Sequence, residues 1–284
     1  MYKTVIVPVD GSRLAEAALG PATVLARRCD AEVLLFSVVD DRRRQDARDS
    51  YLGGLADQIT GVPVKCLVAL GAEPAVAIAD VAREEDRAVV CMSTHGRGGV
   101  ARVLLGSVAE DVLRRMIGPV LLTGPHTRPD ASPVAGQLMV CLDGSHHGEA
   151  ILPLAAAWAR QFAMELYLVQ VLDPDVERQL RVANVPGDDI REDAYLARVA
   201  RRLRDEGVPV DWEVLHDTRS ADAIIDRARH PDVSLVALST LGWTGLRGIA
   251  IGSVARHIVH DNASPTLALR PIAPTPIDPG SDDQ

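Results

Sequence analysis

The chain has 284 residues, 47% of them hydrophobic, which is enough for two domains of about 100–150 residues, each with its own apolar core. A net charge of −9 with 3% aromatic residues lacks the basic field and the stacking platforms of a nucleic-acid binder. No run approaches the roughly 20 apolar residues of a membrane span, and no charged segment with an apolar stretch precedes the first strand, so a cytoplasmic protein is expected.

In chain order, Thr4–Val9, Glu32–Val39, Val62–Leu70, Ala88–Ser93 and Pro119–Thr123 read as strands. Helical patterns lie between them at Ser12–Arg28, Asp41–Ile59, Pro74–Glu85 and Ser107–Met116. Strands apolar at almost every position suit a parallel sheet covered on both faces, and the β-α alternation argues for a doubly wound α/β domain. Periodicity alone leaves the strand order open. Arg42-Arg43-Arg44 lies beside Asp40, Asp41 and Asp46 and reads as a solvated helix face.

The scheme then repeats, with strands near Leu138–Leu142, Glu165–Leu172, Val208–Leu215, Val233–Ser239 and Thr266–Leu269. The second set of helices falls near Gly148–Phe162, Asp188–Glu206, Ala221–His230 and Ser253–Asp261. Val7-Pro8-Val9-Asp10-Gly11-Ser12 returns 133 residues later as Val140-Cys141-Leu142-Asp143-Gly144-Ser145. Leu105-Gly106-Ser107-Val108-Ala109 returns 146 residues later as Ile251-Gly252-Ser253-Val254-Ala255, so the second copy carries 13 more residues, placed before Gly207. The expected division is a first domain over 1–126, a linker over 127–137, a second domain over 138–272 and a disordered tail over 273–284. The four cysteines, Cys29, Cys66, Cys91 and Cys141, form no Cys-x-x-Cys pair and read as buried, reduced thiols.

In an open α/β sheet, ligands bind beyond the carboxyl ends of the strands, where strand order reverses. Asp10 ends the first strand, Ser93-Thr94-His95-Gly96 ends the fourth, and Gly106-Ser107 opens the next helix. A helix start offers unpaired N–H groups and the positive end of a dipole, which suits phosphate. Gly96, Gly98, Gly99 and Gly106 let a backbone approach an anion, and Arg97 adds charge. Two structural readings compete. Ser107-x-x-Glu110 has the spacing of a capping box, lost in the second copy where Arg256 replaces Glu110, and Asp-Gly-Ser is a common turn. The histidines, including the helical pair His257 and His260, have no partners at ligand spacing, and no metal site is expected.

These motifs resemble the universal stress proteins in their tandem-domain form, over nearly the whole chain apart from linker and tail. The nucleotide-binding branch of that family carries Gly-x-x-Gly-x(9)-Gly-Ser/Thr after the fourth strand. Gly96 with Gly106-Ser107, and Gly242 with Gly252-Ser253, match its latter part, while Ser93 and Ser239 stand in place of its first glycine. The resemblance implies a five-stranded parallel sheet in order 3-2-1-4-5 in each of two tandem doubly wound domains, pairing through their fifth strands. It implies ATP, with Mg²⁺, as ligand. Asp10 and Val38 would flank adenine and ribose with Pro8 nearby, while Gly96, Gly106, Ser107 and Val108 would hold ribose and phosphates. Asp143, Val171, Gly242, Gly252, Ser253 and Val254 are the counterparts. Cys141 for Pro8 and Trp243 for Arg97 make the second copy the more divergent, so tighter binding is expected at the first site.

Other phosphate-binding sheets fit less well. The only lysines are Lys3 and Lys65, so a Walker loop is absent, and no Gly-x-Gly-x-x-Gly follows the first strand. Asp10 lacks the neighbouring carboxylates of a phospho-acceptor receiver domain. Nucleotide-dependent signalling or regulation in a stress response is therefore the leading expectation. A slow ATP hydrolase and a nucleotide-free interaction or dimerisation module are the alternatives.

Overall fold

In the computed structural model, residues 2–96, 105–128, 130–175, 194–241 and 251–271 are described. The expected tail lies outside them, as do most of the insertion, Arg97, Gly242 and Trp243.

The first half runs β1 (Thr4–Pro8), α1 (Arg13–Glu16), α2 (Leu19–Cys29), β2 (Glu32–Val39), a 3-10 turn over Arg42–Arg44, α3 (Gln45–Ala56), β3 (Val64–Leu70), α4 (Pro74–Glu84), β4 (Ala88–Ser93), α5 (Ser107–Arg115) and β5 (Val120–Thr123). The second half runs β6 (Gln137–Leu142), α6 (His146–Glu149), α7 (Leu152–Phe162), β7 (Glu165–Leu172), α8 (Ala194–Asp205), β8 (Val210–His216), α9 (Ser220–Ala228), β9 (Val233–Ser239), α10 (Ser253–Asp261) and β10 (Thr266–Leu269). Where one helix is expected over Ser12–Arg28, two form. Pro21 lies in the first turn of α2 and has no N–H to carry the ladder back into α1. In the second half Pro153 stands at the start of α7, which follows the short α6.

The ten strands form one sheet in the order β3-β2-β1-β4-β5-β10-β9-β6-β7-β8. Within each half every strand pair is parallel and the order is 3-2-1-4-5. At the centre β5 and β10 run antiparallel, Leu121 opposite Leu267. Successive strand residues point to opposite faces. Val5 and Val7 join the core under α2, and Ile6 joins the core under α4 and α5. Both cores continue across the β5–β10 seam: Leu121 and Leu267 share one, Val120 and Ala268 the other.

Side-chain contacts also tie the halves together. The Trp158 Nε1–H on α7 donates to the Tyr2 hydroxyl at 3.1 Å in a buried site, with the rings edge to face at 6.0 Å. On α5 and α10, Glu110 and Arg256 form an ion pair at 3.4 Å. They occupy the same position in the two copies, 146 residues apart. The expected linker segment is packed rather than loose, with Ala131 and Val134 buried and Arg128 N–H donating to the Ala263 carbonyl at 2.9 Å.

The cysteine expectation is corrected in part. Cys91 is buried, its thiol pushed up by desolvation, whereas Cys66 is exposed on β3. As an outermost strand of the sheet, β3 exposes residues that an inner strand would bury, Leu67 and Leu70 among them.

Candidate functional site

At the carboxyl ends of β1, β2 and β4 lies a cleft of about 570 Å³, within the range of small-molecule pockets. Its apolar wall comes from Pro8, Phe36, Val38, Ile78 and Met92, and its polar side from Asp10, Ser93, Thr94, His95 and Ser107. Eight of the residues singled out in the first half therefore share one cavity: Pro8, Asp10, Val38, Ser93, Gly96, Gly106, Ser107 and Val108. Arg97 lies outside the described residues.

The turn after β1 explains Asp10. Gly11 has φ +91°, a left-handed conformation that favours glycine, and the Asp10 carboxylate accepts from Ser12 N–H at 2.9 Å. Ser12 in turn caps α1 through its hydroxyl, which accepts from Ala15 N–H at 3.2 Å. The turn role and the cleft position belong to the same side chain. A Cβ on Gly96 would stand 2.6 Å from Asp10 Oδ2, so a glycine there permits the carboxylate's approach.

The capping-box reading of Ser107 is overturned. The N-cap of α5 is Gly106, with no side-chain cap, and Ser107 is the first helical residue. Glu110 reaches across the seam to Arg256 instead of back to the helix start. The start of α5 thus faces the cleft with backbone N–H groups and the Ser107 hydroxyl. Glu110 in its first turn and Arg114 and Arg115 in its last complement the helix dipole. Gly106 is anchored by its N–H to the Thr94 carbonyl at 2.8 Å. Val108 and Val254, equivalent residues on α5 and α10, are both exposed large hydrophobics.

Ser93 and Ser239 fit without strain. Among the described residues the non-glycine positions with positive φ are Asp30, Arg87 and Ala163, so neither serine occupies a conformation that needs glycine. Their hydroxyls serve the following turn: Ser93 Oγ accepts from His95 N–H at 3.3 Å, and Ser239 Oγ donates to the Leu241 carbonyl at 2.9 Å.

The second half has the same frame with different detail. Gly144 has φ +81°, Asp143 accepts from Ser145 N–H at 3.0 Å, and the Ser145 hydroxyl also donates to Asp143 at 2.6 Å. A Cβ at Gly148 would collide with that carboxylate, whereas the corresponding first-half residue is Ala15. Asp143 thus lies against the start of α6, while Asp10 leans toward Gly96. Gln170 replaces Ser37 and brings its amide nitrogen to within 3.5 Å of where a Gly144 Cβ would stand. Gln170 lies outside the repeated motifs, but its place 133 residues after Ser37 makes the exchange readable in the sequence. Val171 and Cys141 are partly buried strand residues, Gly252 caps α10, and Ser253 and Val254 begin it exposed.

The family model described as "Universal stress protein family" matches residues 1–124 and again 136–270. This chain belongs to the universal stress protein family. It does so in tandem, one match in each half. A universal stress protein of Mycobacterium tuberculosis is 29% identical over 205 residues, which cover 69% of this chain and 66% of that relative. Another from the same organism is 28% identical over 232 residues, 79% of this chain and 69% of that protein. The chain thus spans about two thirds of the length of these mycobacterial relatives. Among solved structures, a universal stress protein from Archaeoglobus fulgidus superposes with a TM-score of 0.72 at 16% identity, over 94% of this chain and 98% of that one. A protein of unknown function from Pseudomonas aeruginosa gives 0.65 at 18%, over 95% and 93%. At such identities these likenesses show the fold. Among the described residues, no helix of this tandem universal stress protein is long and apolar enough to cross a membrane.

Proposed function

We propose that this protein binds an adenine nucleotide, ATP with Mg²⁺, in the first-half cleft and reports nucleotide state to a partner in a cytoplasmic stress response. The observation that carries the reading is the junction of an apolar slot with the start of α5, which has no side-chain cap. A base fits against Pro8, Phe36, Val38, Ile78 and Met92. Phosphates fit the dipole and N–H groups of the helix start. Mg²⁺ would arrive with the phosphate oxygens, and Asp10 is the carboxylate in the described lining. The exposed Val108 would gain cover from a bound ligand. Signalling is preferred to fast turnover because Asp10, the carboxylate a hydrolase would recruit, is held by the turn at Ser12. In the second half, Gln170 and the folded-back Asp143 favour weaker binding.

Ser107→Glu tests this without risking the fold, because a carboxylate in the first turn supports the helix while repelling phosphate. Isothermal titration with ATP and Mg²⁺, together with chromatography of nucleotide released on denaturation, reads the result. Binding at wild type that is lost in Ser107→Glu, with the melting temperature kept, is expected. Failure of the wild type to release or take up nucleotide would leave the interaction-module reading in its place.

A further inference from the structure

The end of α10 meets the segment that follows β5, and histidines from both halves converge there. Asp261 Oδ1 lies 2.6 Å from His260 Nδ1 and 3.8 Å from His126 Nε2, and Asp261 Oδ2 lies 3.2 Å from His257 Nε2. We propose that His126, His260 and Asp261 form a binding site for a divalent cation of the zinc class, joining the first half to the second.

Two imidazoles and one carboxylate make a donor set for borderline first-row cations. One ligand atom from each of the three residues lies within 4.8 Å of the others. Ligand atoms placed tetrahedrally at about 2.0–2.1 Å from zinc stand roughly 3.3 Å apart, so the 2.6 and 3.8 Å separations bracket the need. His126 is exposed and can close the longer one by a side-chain movement. His257 holds the second oxygen of Asp261, the supporting hydrogen bond that a ligating carboxylate requires.

The surroundings favour a cation with access to water. His126 and Asp261 line a recess of about 360 Å³ together with Arg219, Asp222, Asp226 and Arg229. Both arginines are engaged by their neighbours, Arg219 with Asp222 at 2.8 Å and Arg229 with Asp226 at 2.5 Å, which leaves the Asp261 carboxylate to the histidines. Water from the recess completes the coordination. The cluster is not a by-product of the duplication, because the residues at the positions equivalent to His260 and Asp261 are Arg114 and Arg115. The backbone on which it is built is firm. Gly124 packs against the Val259 carbonyl closely enough to exclude a Cβ, and Arg128 N–H bonds to the Ala263 carbonyl. The His260 ring also meets the edge of His95 at 5.6 Å, and His95 lines the nucleotide cleft. Cation site and cleft thus share a wall, although the cation proposal does not depend on a nucleotide.

The full chain, stripped with a chelator, is titrated with Zn²⁺ by calorimetry and with Co²⁺ by visible absorption. One equivalent is expected to bind. His126→Ala and Asp261→Asn should each weaken it by more than the roughly 10–100-fold that loss of a supporting partner costs, and His257→Gln by an amount within that range. Cys66→Ser and His146→Ala, which remove other exposed zinc-binding side chains, should leave it unchanged. No binding at wild type, or affinity unchanged in His126→Ala and Asp261→Asn, overturns the proposal. Should Asp261→Asn fail to fold by circular dichroism, His126→Ala decides alone, because that side chain is exposed outside any helix or strand.

Discussion

Gly106 and Gly252 hold the same place in the repeat, each N-capping a helix and each donating its N–H to a threonine carbonyl at 2.8 Å, yet alanine should affect them differently. A Cβ at Gly106 would stand 2.8 Å from the Thr94 carbonyl oxygen, well inside the roughly 3.5 Å at which non-bonded heavy atoms rest comfortably. At Gly252 the nearest atom, the Thr240 carbonyl oxygen, lies at 3.7 Å. Both backbones are extended, with φ −71° and −66°, so neither substitution meets a forbidden conformation. Alanine is a poorer N-cap than glycine, and it also lowers the entropy of the unfolded chain. Both contributions are common to the two variants and cancel in the comparison. What remains is the clash at Gly106, an overpacking cost of about 1–3 kcal/mol. At about 2–4 °C per kcal/mol, Gly106→Ala should melt roughly 2–12 °C below Gly252→Ala, which itself stays near wild type. Thermal and urea denaturation of the two variants side by side measure the difference. Equal shifts, or a larger loss from Gly252→Ala, would refute the reasoning.

Tyr2→Phe leaves the buried Trp158 N–H without its acceptor and should destabilise the chain by about 1–3 kcal/mol in urea unfolding. Burial, partly offset by the Trp158 hydrogen bond, raises the Tyr2 phenol to about 12 from its ordinary 10.0. Its neutral form is therefore favoured in the folded state. That contribution is complete below about pH 10 and falls away as the pH rises toward 12, and the phenylalanine variant should lack this part of the alkaline loss. Glu110→Arg sets like charges against Arg256 and should cost about 1 kcal/mol, while adding Arg256→Glu restores the pair with reversed polarity. A double variant no more stable than the single ones would dismiss the contact.

The strands β2, β4, β7, β9 and β10 begin and end where the apolar runs do, because inner strands buried on both faces leave an unambiguous signal. β3 was readable as a strand but not as an exposed one, since being outermost is a property of strand order and not of the strand's own residues. Gly96, Gly106 and Ser107 were legible as a group because the repeat displayed the motif twice. The competing capping-box spacing of Ser107 with Glu110 is misleading, because Glu110 pairs with Arg256, which is distant in sequence. The histidine cluster was illegible for the same reason. His126 follows β5 and His260 ends α10, and only the central antiparallel pairing brings them together.

The pairing of Glu110 with Arg256 has a consequence for how such a chain assembles. Each half carries at the shared seam the charge that its twin opposes. Two first halves meeting in the same way would bring glutamate against glutamate, and two second halves arginine against arginine. An unfused pair of identical copies has no means of placing opposite charges at one self-facing position. Fusion into a single chain removes that symmetry, and the seam then selects the unlike neighbour, already supplied at high effective concentration by its own polypeptide.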